Sequence, residues 1–187
     1  MKYGLLGLLL YFISYAQAFG TEGNDTWGIG TELQAYPAGL IPGARGELFL
    51  GPMQNVNMRI AYNVARRQDF GKHDDERGGG WGAGIGYRRY GVRDRLPFFA
   101  GIRIDWWELG IDWQQKSNAI KTSGTTRISV LQPTGEFGYD WRIHESWSLI
   151  ATVSVGAEIN LVSQGEPVGE GAILLIGLNT VYRFGGS

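Results

Sequence analysis

Three groups of side chains in this chain have types and spacings that suit chemistry. The first is five carboxylates, Glu32, Glu47, Asp105, Glu136 and Glu158, with five arginines, Arg45, Arg59, Arg88, Arg103 and Arg183; each stands among alternating apolar residues, on the opposite parity to them. Acids and guanidiniums in equal number suit a neutral, mutually paired network, since an isolated buried charge is costly. Pairs able to exchange partners would instead line a narrow ion path. The second is His144-Glu145-Ser146, where a histidine two residues from a serine has the types needed to activate an ester-attacking nucleophile. The third is a charged cluster, Arg66, Arg67, Asp69, Lys72, His73, Asp74, Asp75, Glu76 and Arg77, a candidate external binding loop whose cations suit phosphates and whose carboxylates suit divalent ions. Asp74-Asp75-Glu76 lacks the glycine turn of a calcium loop, so no specific metal site is expected. Gly82, Gly84 and Gly86 have no helix after them and so make no phosphate loop. Their row suits a neighbouring aromatic ring or strand curvature. No catalytic constellation and no cofactor motif emerges.

The elements that position these groups follow from period two. In Gly171 to Phe184, Ala172, Leu174, Ile176, Leu178, Thr180, Tyr182 and Phe184 share one face, while Ile173, Leu175, Gly177, Asn179, Val181 and Arg183 share the other. The first face suits lipid and the second a mixed interior. The same alternation predicts strands over Trp27–Tyr36, Ala44–Leu50, Val56–Val64, Trp81–Arg88, Phe98–Trp107 and Trp147–Glu158. A further, less regular strand is expected around Phe137, Tyr139 and Trp141, because Ile128 and Val130 are out of phase with Leu131 and Pro133 could mark a break. After Glu108 the apolar phase moves to Leu109, Ile111 and Trp113, which predicts a bulge or a strand projecting past a membrane. Ala38–Gly43, Ala65–Gly79, Lys116–Thr125 and Asn160–Glu170 read as loops.

The N-terminus bounds the compartment. Met1-Lys2, an apolar run from Tyr3 to Tyr15 and Ala16-Gln17-Ala18 form the three regions of a secretory leader, giving a signal peptide over 1–18 and one domain over 19–187. The run is too short for a membrane helix, which needs roughly 20 residues. Losing Lys2 makes the formal charge of −1 one unit more negative, and nothing argues for nucleic acid. Absence of cysteine excludes a lipoprotein anchor, disulfides and thiolate metal sites. The mean hydropathy of −0.15 is that of a soluble protein. A transmembrane barrel escapes that test, since only alternate residues meet lipid.

Eight strands, an even number, predict an all-β, eight-stranded, antiparallel, up-and-down transmembrane β-barrel. The first, third, fifth and seventh connections include the longer loops, which puts both termini on the periplasmic side. Aromatic residues then fall into two girdles: Trp27, Tyr87, Phe98, Trp141, Trp147, Tyr182 and Phe184 near the periplasmic ends, and Tyr62, Trp81 and Trp106 near the outer ends. A soluble lipocalin-like barrel would invert this polarity.

The pattern resembles the small eight-stranded outer-membrane proteins, the outer-membrane protein X group and the barrel domain of outer-membrane protein A, over essentially the whole mature chain. The terminal Val181-Tyr182-Arg183-Phe184 is similar to the signal read by the barrel-assembly machinery, although here Gly185-Gly186-Ser187 follow the aromatic. The resemblance implies a bacterial outer-membrane location, contact with outer-membrane lipid and lipopolysaccharide, and no cofactor. The expected role is non-enzymatic, structural or binding: an accessory subunit of a larger outer-membrane complex, or a surface protein presenting its loops. The alternatives are a narrow channel and a lipid-modifying enzyme, since His144-Glu145-Ser146 resembles the His-x-Ser pair of outer-membrane lipid A deacylases. Those residues fall in a periplasmic turn, away from such substrates. Small outward residues at Ala44, Gly46, Ala151 and Ala157 are possible contact patches.

Overall fold

In a computed structural model of the chain, residues 26–68, 72–91, 97–117, 120–168 and 170–185 are described. The leader expected over 1–18 lies outside them. Alternating side chains on β-branched, aromatic and glycine-rich stretches give eight strands: β1 (Trp27–Tyr36), β2 (Gly39–Gly51), β3 (Gln54–Gln68), β4 (Asp75–Tyr90), β5 (Phe98–Ser117), β6 (Ile120–Arg142), β7 (Trp147–Gln164) and β8 (Gly171–Phe184). Each pairs antiparallel with the next, and β1 closes the barrel against β8. Following cross-strand partners once around, from Arg183 through Gly28, Glu47, Asn57, Gly86, Arg103, Thr134 and Gly156, returns to β8 at Ile173, ten residues from the start. A stagger of that size across eight strands tilts them by about 40°. It also brings side chains far apart in sequence to one level in the lumen.

Four of the loops expected from the sequence shrink, because the strands run on beyond the apolar belt. Ala38–Gly43 is no loop: β2 begins at Gly39, and only Pro37 and Ala38 connect it to β1. Ala65–Gly79 is largely ladder, with Arg67 paired to Glu76 and Arg66 to Arg77. Lys116–Thr125 is the top of a hairpin in which Lys116 pairs with Lys121 and Asp112 with Thr125. Asn160–Glu170 loses its first five residues to β7. Long connections therefore do not alternate with short ones; at the end opposite the termini, the strands themselves overhang.

The apparent phase change after Glu108 is no bulge. Trp107, Leu109 and Ile111 are all inward and buried, continuing the parity of Arg103 and Asp105, while Glu108, Gly110 and Asp112 face outward. What changes is the polarity of the two faces. Below Glu108 the outward residues of β5 are Phe98, Ala100, Ile102, Ile104 and Trp106; above it they are polar, and the inside turns apolar. β6 behaves alike, with Thr126, Ile128, Val130, Gln132, Thr134 and Glu136 all inward in one unbroken parity. Pro133 does not break it. Lacking an N–H, Pro133 sits where the β6–β7 ladder skips from Leu131 to Thr134. The irregularity is on β7, where Leu161 is the extra residue between partners of Ser129 and Val130.

Candidate functional site

Eight of the ten charged residues singled out as a network meet in the lumen as one closed ring. Glu32 of β1 accepts from Arg45 of β2 at 2.7 Å and from Arg59 of β3. Arg59 donates to Asp105 of β5 at 2.7 Å, which also takes Arg103 at 2.8 Å. Arg103 reaches Glu136 of β6 at 3.4 Å, and Glu136 binds Arg88 of β4 at 2.6 Å. Arg88 continues to Glu47 at 3.1 Å, and Glu47 returns to Arg45 at 3.2 Å. Cation and anion alternate throughout, so the ring is neutral and every member has two opposite neighbours. None is more than 5% exposed.

Neighbouring side chains fix the ring from above, below and behind. Gln34 accepts from Arg59 at 2.7 Å and from Arg103 at 3.1 Å through one amide oxygen. Asn179 of β8 turns its amide oxygen to Arg45 at 3.0 Å in the orientation that satisfies both its ends. The Arg59 guanidinium lies over Trp107, 5.2 Å from the ring centroid, and that of Arg88 over Phe99 at 4.4 Å. The glycine row makes room for this: a Cβ on Gly82 would strike the Trp107 indole and one on Gly84 the Asp105 carboxylate. Cβ atoms on Gly78 and Gly80, earlier on β4, would strike the backbone of β5.

The other two network members stand apart from the ring. Arg183 pairs with Asp140 at the end near the termini and covers Phe49 at 4.8 Å. Glu158 belongs to the far end, where it binds Arg67 at 2.6 Å; Glu76 lies 3.7 Å from the same arginine. Asp140 and the pair Arg67 and Glu76 were missed as interior residues. Period two extended upstream from Trp141 on β6, through Ala65 on β3 and upstream of Trp81 on β4 would have found them.

Between the ring and the far-end cluster lies an apolar layer: Ile41, Trp107, Leu109, Ile128, Val130, Ile173 and Leu175, all buried. Val168, from the connection between β7 and β8, completes it from above at 1% exposure. The lumen is thus closed twice, by an ion-pair ring and by an oily layer. A charge crossing either layer would exchange its hydration for these side chains.

The candidate external loop divides in the same way. Arg67 and Glu76 face inward and are buried; Arg66 and Arg77 face outward and are exposed. Arg77 is bound by Asp75 at 2.8 Å. Between the strands, Glu76 accepts from the N–H groups of Lys72 and His73 at 3.0 and 3.3 Å, the His73 ring stacks on Trp113 at 4.3 Å, and Asp74 accepts from the Lys116 N–H at 2.7 Å. Asp69 lies outside the described residues.

The aromatic residues chosen as girdles all point away from the lumen. Trp27 stacks on Phe184 at 3.8 Å, Phe184 meets Tyr182, and Tyr182 meets Trp147. Phe98 meets Tyr139, which continues to Trp141, so Tyr139 joins that set; Tyr87 donates to Gln54 at 2.9 Å. At the other level Tyr62 meets Trp81 edge-on at 5.2 Å, and Trp106 donates to Glu108 at 2.8 Å. His144 and Ser146 share the turn between β6 and β7, where their backbones bond to Trp147 and Arg183; no side-chain hydrogen bond joins them.

No protein-family model matches the chain. No curated protein sequence matches it either. Among solved structures it is similar to the N-terminal β-barrel domain of Pseudomonas aeruginosa OprF, at 12% identity over 87% of this chain and 100% of that one, with a TM-score of 0.46. Neisserial surface protein A is similar at 8% identity over 84% and 94%, with a TM-score of 0.47, and the outer-membrane protein AlkL in lipid bilayers at 12% over 88% and 92%, with a TM-score of 0.45. The eight-strand closure rests on this chain's own ladders.

Proposed function

We propose that the protein is an integral bacterial outer-membrane barrel with a sealed lumen and a structural or binding role, not an enzyme. The inversion of polarity along β5 carries the reading. Ile102 is 66% and Ile104 51% exposed on the outside while Arg103 and Asp105 are buried within, an arrangement that water would oppose and lipid favours. At about 3.3 Å per residue and a tilt of about 40°, the stretch from Phe98 to Trp106 covers about 20 Å of height, near the apolar band roughly 25 Å tall of such barrels. The aromatic last residues of β8 support insertion by the barrel-assembly machinery.

The doubly closed lumen argues against a channel, and purified protein in planar bilayers is expected to give no steady conductance steps. That leaves the outside of the barrel as the working surface. Either it packs beside a larger outer-membrane assembly as an accessory subunit, or it presents its overhanging hairpins. Extraction in mild detergent followed by native mass measurement separates the two: a stoichiometric larger particle means an accessory subunit, a lone chain means presentation.

Placement in the membrane has its own test, made easy by the absence of cysteine. A membrane-impermeant maleimide should label Gln114→Cys on intact cells, leave Ile60→Cys unlabelled, and reach Ser146→Cys only after the outer membrane is permeabilised. Equal labelling of Ile60→Cys and Gln114→Cys would overturn the membrane assignment, and labelling of Ser146→Cys on intact cells would overturn the orientation.

A further inference from the structure

The ion-pair ring draws all its members from β1 to β6, so β7 and β8 give no charge to it. On their side of the lumen β7 turns Thr152 and Ser154 inward, both buried, and neither hydroxyl has a hydrogen bond among the described residues. Gln34 of β1 is fully buried as well. Its amide oxygen is taken by Arg59 and Arg103, while its amide nitrogen has no partner among the described residues. Buried donors and hydroxyls left in this way cost free energy unless a bound molecule answers them.

Gly177 brings two of these groups to one point. Cross-strand pairing sets Gly177 of β8 between Thr152 of β7 and Gln34 of β1. A Cβ on Gly177 would stand 2.4 Å from Thr152 Oγ1 and 3.5 Å from Gln34 Nε2. The two atoms therefore lie less than about 6 Å apart across the glycine, a gap that two hydrogen bonds of about 2.9 Å span. A methyl there would fill the gap, and glycine keeps it. Apolar side chains enclose it along the barrel: Ile41 and Leu175 toward the far end, and the buried cluster of Phe99, Ile150 and Val181 toward the termini.

We propose that the gap over Gly177 is a binding site for one water molecule, which accepts from Gln34 Nε2, shares a hydrogen bond with Thr152 Oγ1, and so ties the ring through Gln34 to the wall of β7. The chemistry of the two groups selects water. An amide N–H repels a cation, and an anion beside a neutral ring would forfeit its hydration without gaining a counter-charge. Water is neutral, accepts from the amide, and can either give to or take from a hydroxyl. Enclosed between two apolar clusters, it exchanges slowly and acts as a fixed part of the wall.

The test uses the folded mature barrel in detergent micelles, with NMR reading magnetisation transfer from water to the Gln34 side-chain amide. Wild type should show a cross peak there, of opposite sign in the laboratory and rotating frames, which marks a bound water rather than proton exchange. Thr152→Val keeps the shape and removes the hydroxyl. It should lose that peak and lower the urea midpoint by about 0.3–1 M, since the water then lacks a partner. Thr152→Ser should keep the peak. Absence of the peak in wild type, or a midpoint that stays or rises in Thr152→Val, would overturn the site, because the hydroxyl would then be unpartnered and dispensable. A shift of the Gln34 amide on replacing chloride by nitrate at constant ionic strength would overturn water as the ligand in favour of an anion. Heat-modifiable gel mobility verifies that each variant is folded. Conductance across planar bilayers reports the seal of the lumen separately, so failure of the seal and failure of this site give different results.

Discussion

Replacing Glu136 by glutamine tests whether the ring acts as a unit. Glu136 takes Arg88 through both its oxygens, at 2.6 and 3.1 Å, and Arg103 at 3.4 Å. The substitution keeps the shape and removes one negative charge, leaving the ring with an uncompensated positive charge at full burial. Breaking a buried pair in this way costs about 3–5 kcal/mol. With a urea dependence of roughly 1–3 kcal/mol per molar, the midpoint should fall by about 1 M or more. Urea unfolding of the barrel in lipid vesicles, followed by tryptophan fluorescence, measures it. The companion variant removes both partners, Arg88→Met with Glu136→Leu. Glu47 then keeps Arg45, and Arg103 keeps Asp105, so the ring opens into a neutral chain. It should be more stable than Glu136→Gln alone, since a buried pair replaced by apolar residues often costs little. A loss under about 1 kcal/mol for the single change, or a double variant weaker than the single, would refute the reasoning, because the charges would then not depend on one another.

The glycine row and the apolar layer give further expectations for the same unfolding assay. Gly84→Ala should lose about 1–3 kcal/mol by driving a methyl into Asp105, whereas Gly46→Ala, whose nearest neighbour is the Gly28 carbonyl at 3.9 Å, should stay within about 0.5 kcal/mol. Trp107→Ala, which strips the cover from Arg59 and from the glycine row, should cost about 3–5 kcal/mol. Val168→Asp puts an unpaired charge into the apolar layer and should lower the unfolding midpoint without opening a conductance, because the ring beneath remains closed.

Much of this barrel was legible in one dimension, because period two ties every residue of a strand to one of two faces. Within the belt that rule assigned Arg45, Arg59, Arg88, Arg103 and their acids inward and the girdle aromatics outward; in the fold the former are buried and the latter stand on the opposite face. It misled where the strands leave the belt. There the outward face changes from apolar to polar and the inward face from polar to apolar, so Glu108 and Asp112 go out and Leu109 and Ile111 come in, on an unchanged parity. Read with a fixed sign, that inversion suggested a bulge as one of two alternatives in β5, a broken β6 and four long loops; the other alternative, a strand running on past the apolar belt, is what β5 does.

The tertiary structure alone decided who meets whom. The sequence determined the number of strands, the face of each belt residue and the balance of inward charge, all of which are local or compositional. Which acid reaches which arginine depends on the ten-residue stagger around the barrel, a quantity no single strand carries. It set Glu32 of β1 against Arg59 of β3, joined Asp105 and Glu136 through Arg103, and sent Glu158 up to Arg67 and Arg183 down to Asp140. Charge balance asked for a network; closure of the sheet on itself made it a ring.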